Sequence, residues 1–189
     1  MKEQLKIALW FTLLTTLIFG LGYPLAVTGL AQLLFPRQAN GSMVTATAAS
    51  GSVLIGQPFS SDAYFHPRPS VAGTGYDPMS STGSNLAPTN HQLTDRVTAD
   101  VAKLQAENPG VPVPIDLVTT SASGLDPDIS PAAAQFQVPR VARARKIAAN
   151  DLQRLVDAQT TKRQFGILGE PRVNVVELNR ALDAHYPQR

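Results

Sequence analysis

The first pattern in the chain is a long run of apolar positions, not an alternation. Residues 7–30 read IALWFTLLTTLIFGLGYPLAVTGL, and no formal charge occurs between Lys6 and Arg37. At about 1.5 Å of rise per residue such a segment crosses a hydrocarbon core of about 30 Å as one helix. Thr12, Thr15 and Thr16 can return their hydroxyls to helix carbonyls, so they do not defeat a membrane span. Pro24 marks a candidate kink, and Trp10 and Tyr23 suit the two interfaces. Gly20 and Gly22 are helix-packing candidates, because a residue without a side chain lets a neighbouring helix approach closely.

After residue 41 the patterns shorten. Residues 41–52 are small and polar and read as a connector, residues 53–56 (VLIG) as a short strand, and residues 60–90, crowded with Pro, Gly, Ser and Asn, as turns. Leu93, Val97, Val101 and Leu104 recur at helical spacing, which predicts an amphipathic helix over about 90–107, closed by Asn108-Pro109-Gly110. PIDLVTT at 114–120 predicts a strand. Ser130-Pro131 supplies an N-cap and a first-turn proline for a short helix AAAQFQ, with Pro139 restarting the chain. Val141, Ala144, Ala148, Leu152, Leu155 and Val156 predict a single long helix over 140–158. A turn at GILGEPR, an extended pair at Val173 and an N-cap at Asn174 with Glu177 three residues on predict a last helix over 175–184. The fold class expected is α+β: one N-terminal transmembrane helix followed by a single mixed extracytoplasmic domain. The boundaries are 1–6 for a cytoplasmic N-terminus, 7–30 for the transmembrane helix, 31–52 for the connector and 53–189 for the domain.

Charge refines the topology. Lys2, Lys6 and the amino terminus precede the apolar run and only Arg37 follows it closely, which favours a cytoplasmic N-terminus and an exported domain. The alternative is a cleaved signal, with Gly29 and Ala31 as a small-x-small site, but the apolar run is longer than the usual 7–15 residues or so. Residues 37–189 hold 14 Lys and Arg against 13 Asp and Glu, so there is no broad cationic surface for nucleic acid. With no cysteine, disulfides, thiolate nucleophiles and cysteine-based metal sites are excluded.

Candidate chemistry is sparse. His66, His91 and His185 lack the short spacing of a metal-binding helix, so neither a metal site nor a catalytic histidine is assigned. Ser121 and Ser123 in TTSASGLDPDIS lack a nucleophile elbow and a local base, and local folding explains them better, with a membrane-anchored serine hydrolase as the alternative. Asp126 and Asp128 suit amide capping or a cation. RVARARK at 140–146 projects Arg143 and Arg145, which are either a solvated face or a subunit contact. In YFHPRPS at 64–70, Tyr64, Phe65 and Arg68 suit either an exposed recognition loop or internal packing.

Several blocks in order carry a resemblance: GQPFSSDAYFHPRPS at 56–70, STGSNLAPTN at 81–90, VPIDLVTTSASGLDPDISPAAAQFQVPRVARAR at 113–145 and GEPRVNVVELNRAL at 169–182, after an N-terminal anchor. Together they resemble the C-subunit family of the bacterial high-affinity potassium-transporting P-type ATPase. Asp128 stands where the family's LDPHIS-like block often has histidine, and Lys146 stands where glycine is common after RVARAR. The resemblance implies a non-catalytic accessory subunit of an ATP-driven potassium uptake complex in the bacterial inner membrane. The partners it implies are a potassium-channel-like subunit, the P-type ATPase catalytic subunit, a small membrane subunit and membrane lipid. ATP, magnesium and potassium are then used by the whole complex, with no cofactor in this chain. A role for the complex's ATP binding, through a Gln matched here by Gln135 or Gln137, and an influence on external potassium access are further implications of the family.

Overall fold

The structure is a computed structural model that describes residues 1–44 and 51–187. It divides into two compact units, Met1–Met43 and the remainder from Val44.

The first unit is dominated by one helix, Lys2–Leu34, long and apolar enough to cross a membrane. It comprises α1 (Lys2–Thr15), a π-helical stretch Thr16–Gly22 and α2 (Tyr23–Leu34). The π stretch sits directly before Pro24. A proline there offers no N–H to the Gly20 carbonyl and crowds it, and a locally wider hydrogen-bond spacing, seen in Tyr23 N–H donating to Ile18 O, relieves both problems. The expected proline disturbance is thus taken up in hydrogen-bond register, and Gly20 and Gly22 both lie in the widened stretch. Thr15 Oγ1 donates to Phe11 O at 2.8 Å, the back-bonding expected of a lipid-compatible threonine. A single turn, α3 (Pro36–Ala39), follows.

Short extended pieces β1 (Met43–Val44) and β2 (Gly51–Ser52) flank residues 45–50, the part of the expected connector that lies outside the described residues. Residues 53–56 form a turn, not the expected strand, because Ser52 Oγ accepts the Leu54 N–H at 3.1 Å and Gly56 N–H bonds Leu125 O at 2.7 Å. The stretch to Asn90 is turn and irregular structure, with one 3₁₀ turn at Pro78–Ser80. α4 (His91–Glu107) begins where Asn90 Oδ1 accepts the Gln92 N–H, and its stripe of Leu93, Val97, Val101 and Leu104 is only half-buried.

The expected strand at 114–120 is also absent. Ile115–Leu117 is a 3₁₀ turn preceded by Pro114, and Leu117 and Val118 enter the core from an irregular backbone. β3 (Asp128–Ile129), β4 (Thr160–Thr161) and β5 (Arg172–Asn174) form a small antiparallel sheet in the order β3-β5-β4. The register pairs Ile129 and Thr160 with Val173, which places two buried aliphatic side chains, Ile129 and Val173, on adjacent strands.

Three helices enclose this sheet's core. α5 (Pro131–Arg145) starts at Ser130, whose Oγ accepts the Ala133 N–H at 3.1 Å. Pro139 lies inside α5 instead of restarting the chain. It faces solvent, and its missing N–H removes only the bond to the Gln135 carbonyl while Phe136, Val138, Val141 and Ala142 keep the helix buried. The expected single helix over 140–158 is two: α5 ends at Lys146 and α6 (Ala149–Gln159) begins three residues later. Lys146 has φ 57° and ψ 41°, and Ile147 N–H reaches back to Ala142 O at 3.0 Å, a Schellman closure. A left-handed residue with a Cβ costs about 1 kcal/mol. Lys146→Gly is therefore expected to stabilise the chain by about 0.5–1 kcal/mol in urea melts, the gain reduced by the greater freedom of glycine when unfolded. α7 (Val175–His185) opens at Asn174, whose Oδ1 accepts the Glu177 N–H, and buries Val175, Val176, Leu178 and Leu182.

Candidate interaction site

The motif at 64–70 is fastened to the helical core through its backbone. Phe65 N–H donates to Asn179 Oδ1 at 2.9 Å and Asn179 Nδ2 donates to Phe65 O at 2.9 Å. The next residue is held the same way by α5: His66 N–H donates to Gln137 Oε1 at 2.8 Å, and Gln137 Nε2 donates to His66 O at 3.0 Å. Two buried side-chain amides thus act as a strand partner for two consecutive residues.

Two arginines complete the attachment. Arg140 donates to Asp62 O at 2.8 Å, Tyr64 O at 3.0 Å and Gln137 Oε1 at 2.7 Å, and its Nε lies 3.6 Å from Glu107 Oε2. Arg145, its side chain 3% exposed, donates to Ala63 O, Tyr186 O and Asp183 Oδ1 at 2.7, 2.9 and 2.7 Å. Its guanidinium also lies 4.6 Å from the Tyr64 ring centroid, while Tyr64 Oη donates to Asp183 Oδ2 at 3.1 Å.

Of the residues singled out in the sequence, Phe65 is fully buried and therefore realises the internal-packing reading, not the exposed one. Arg145 likewise serves the interior, whereas Arg143 is exposed on α5. Gln137 spends both amide hydrogens and both acceptor sites inside the protein, the second hydrogen going to Ala133 O at 3.3 Å. Gln135 Nε2 donates to Asp157 Oδ1 at 3.1 Å. Ser123 Oγ accepts the Leu125 N–H at 3.1 Å and lies 3.4 Å from Ser121 Oγ, so this cluster shapes a turn.

A second feature is an open cleft of about 600 Å³ where the separated sequence blocks meet, lined in part by Arg68, Asp116, Asp126, Asp128, Glu170 and Arg172. Arg68 pairs with Asp126 at 3.3 Å and also donates to Thr119 Oγ1 at 3.2 Å, while Arg172 pairs with Asp128 at 2.8 Å. Asp126 Oδ1 caps the Asp128 N–H at 3.0 Å, and Asp116 Oδ2 caps the Ser130 N–H at 2.7 Å, so these carboxylates organise the loop leading into α5. Burial pushes the Asp128 carboxyl up, with Arg172 opposing. The block at 81–90 closes against the same loop: a Cβ on Gly124, at φ +68°, would stand 2.7 Å from Thr82 O, and one on Gly83 2.9 Å from Ala122 O. Among the described residues no group of three or more His, Asp or Glu side chains is placed to hold a metal ion.

His66 shows what this packing does to a titratable group. Its ring nitrogen lies 3.0 Å from Ser61 O, yet burial, reinforced by Arg140, lowers its pKa below the ordinary 6.5. The folded chain thus holds this proton less tightly than the unfolded chain. The stability from neutral His66 is complete above the unfolded pKa and is lost as pH falls below about 6.5 toward the folded pKa. His66→Asn is expected to flatten that slope in urea melts taken between about pH 5 and 8.

Sequence reasoning missed Asn179, Asp183 and Arg140. Asn179 carried a signal: in VVELNRAL it falls on the same stripe as Val175, Val176 and Leu182, and a polar residue on an apolar stripe marks a buried hydrogen-bonding role.

A helix long and apolar enough to cross a membrane, followed by a mixed α/β domain, defines the class: a domain carried behind a single membrane-compatible helix. The family model "KdpC: K+-transporting ATPase, c chain" matches residues 5–184. A Caulobacter vibrioides protein named "Potassium-transporting ATPase KdpC subunit" is 56% identical over 189 residues, covering 99% of this chain and 96% of the relative. Proteins of the same name from Koribacter versatilis and Acidobacterium capsulatum are 54% and 56% identical, covering 99% and 96% of this chain and 97% and 98% of their own lengths. The chain belongs to the KdpC family and is an accessory, non-catalytic subunit of a potassium-transporting ATPase.

Proposed function

We propose that the chain is anchored in the bacterial inner membrane with residues 1–6 in the cytoplasm, 7–30 in the bilayer, 31–52 as the connector and 53–189 outside the cytoplasm. There it stabilises the assembly of a potassium-channel-like subunit, a P-type ATPase catalytic subunit and a small membrane subunit, and influences potassium access from outside. Family membership and the two lysines ahead of the apolar run support this reading. The observation that carries this reading is the match of the family model to residues 5–184. Exposed Arg143, the outer face of Tyr64 and Arg68, and Gly20 and Gly22 in the membrane helix are the proposed contact points.

The topology is tested with an impermeant maleimide on cells carrying Ser123→Cys or Lys2→Cys. Labelling of Ser123→Cys from outside is expected, and labelling of it only from the cytoplasm overturns the orientation. Assembly, potassium-stimulated ATP turnover and potassium transport are then compared with and without the chain. Unchanged assembly and transport would sink the subunit role.

A further inference from the structure

The segment 163–170 projects from the domain as a stapled hairpin. Gln164 and Leu168 exchange both backbone hydrogen bonds at 2.9 Å, and within the turn Gly166 N–H bonds Arg163 O and Ile167 N–H bonds Gln164 O, each at 3.2 Å. Across the base, Arg163 donates to both oxygens of Glu170 at 2.6 Å. The tip is apolar and in solvent: Phe165 is 90% exposed, Ile167 75% and Leu168 54%. Phe165 also adopts φ 53°, a left-handed conformation that a bulky residue avoids. An aromatic group held out in water on a strained backbone, with hydrogen bonds and an ion pair maintaining the pose, serves no packing purpose within the domain. Pre-organised aromatic anchors of this kind contribute disproportionately to binding, because little ordering entropy remains to be lost.

The surroundings select the occupant. The Glu170 arm of the hairpin forms part of the cleft lining; with Glu170 held by Arg163, the lining keeps Asp116, Asp126 and Asp128 against Arg68 and Arg172, an excess of one negative charge. Lys162 stands on the other arm, outside that lining, so the negative excess lies on the cleft side of the tip. An acidic flank is repelled by an anionic lipid surface and attracts basic protein side chains. We propose that the 163–170 hairpin is a docking finger that seats Phe165, Ile167 and Leu168 in an apolar socket on another protein subunit of the pump, with lysine or arginine side chains of that subunit bordering the socket on the Glu170 side. This rests on the subunit reading and adds the location and chemistry of one contact.

The test uses the whole complex purified from membranes. With the wild-type chain, co-purification with the pump is expected, and its failure would refute the subunit reading itself. Given co-purification, the double variant Phe165→Ser/Ile167→Ser is expected to leave the complex at least about tenfold faster in detergent, the loss of a central anchor. Met79→Ser, a control at another exposed apolar side chain, is expected to change nothing. Benzoylphenylalanine in place of Phe165 is expected to cross-link to another pump subunit on illumination. Unchanged retention of the double variant, a loss of retention in Met79→Ser equal to that of the double variant, or cross-links to lipid or to a second copy of this chain, overturns the docking finger while leaving the subunit reading intact.

Discussion

Asn179→Ala is expected to destabilise the full-length chain in detergent by about 3–5 kcal/mol, because it strands two buried backbone groups at once. Phe65 N–H and Phe65 O both depend on the Asn179 amide, and Phe65 has no exposed surface through which water reaches it. A buried donor or acceptor left without a partner costs about 1–3 kcal/mol, and the space vacated by the amide adds to the loss. For a domain of this size that lowers the melting temperature by roughly 10 °C. Asn179→Asp separates the two bonds. The carboxylate still accepts the Phe65 N–H but meets the Phe65 carbonyl with another acceptor, so it is expected to be at least as damaging as alanine. A urea denaturation series on the three proteins checks both expectations, and a loss below about 1 kcal/mol in Asn179→Ala would show that the clamp contributes little.

The second large effect is expected at Arg145. Arg145→Ala removes one guanidinium from two backbone carbonyls, the Asp183 carboxylate and the face of Tyr64. Breaking a buried pair by deleting one partner costs about 3–5 kcal/mol, because the remaining charge and carbonyls stay partly out of water. Arg145→Lys keeps the charge without the planar fork and should recover only part of that loss. Arg143→Ala, two residues away on the exposed face of α5, is expected to stay within about 0.5 kcal/mol of the parent. Equal effects at the two arginines would contradict the internal role of Arg145. The contrast also decides how to probe a surface contact: Arg143→Glu alone is informative, whereas a double charge reversal with Arg145 would unfold the domain it was meant to probe.

These two arginines show where the sequence was legible and where it was not. The membrane helix, α4, the N-caps at Ser130 and Asn174, and the extended pair at Val173 follow from local signals, each acting within one or two turns of chain. RVARARK looked like one charged stripe because helical periodicity cannot tell which cations fold back onto carbonyls from residues 62–64, some 80 positions earlier. The break at Lys146 was hidden because lysine, not glycine, occupies the left-handed cap, so the strongest stop signal was missing. Pro139 gave the opposite error: its local preference against a helix interior is overridden by tertiary packing of the buried face around it. The two expected strands at 53–56 and 114–120 failed for a related reason. Val53, Leu117 and Val118 are wanted in the core, but side-chain oxygens and prolines turn the backbone before a ladder can form. For the candidate site, the blocks were visible in the sequence, but their convergence on one cleft was not.

The amide clamp on Phe65 and His66 sets different tolerances to substitution along the chain. Gln137 and Asn179 grip peptide groups, which every residue except proline supplies in full, so the clamped segment can change its outward side chains without loosening its seat. Related chains are thus free to revise the ring of His66, and with it the relief offered to a neighbouring protein, while the two amides stay fixed. A saturation scan would show this as two intolerant positions far away in sequence guarding a permissive one, with His66→Pro as the exception.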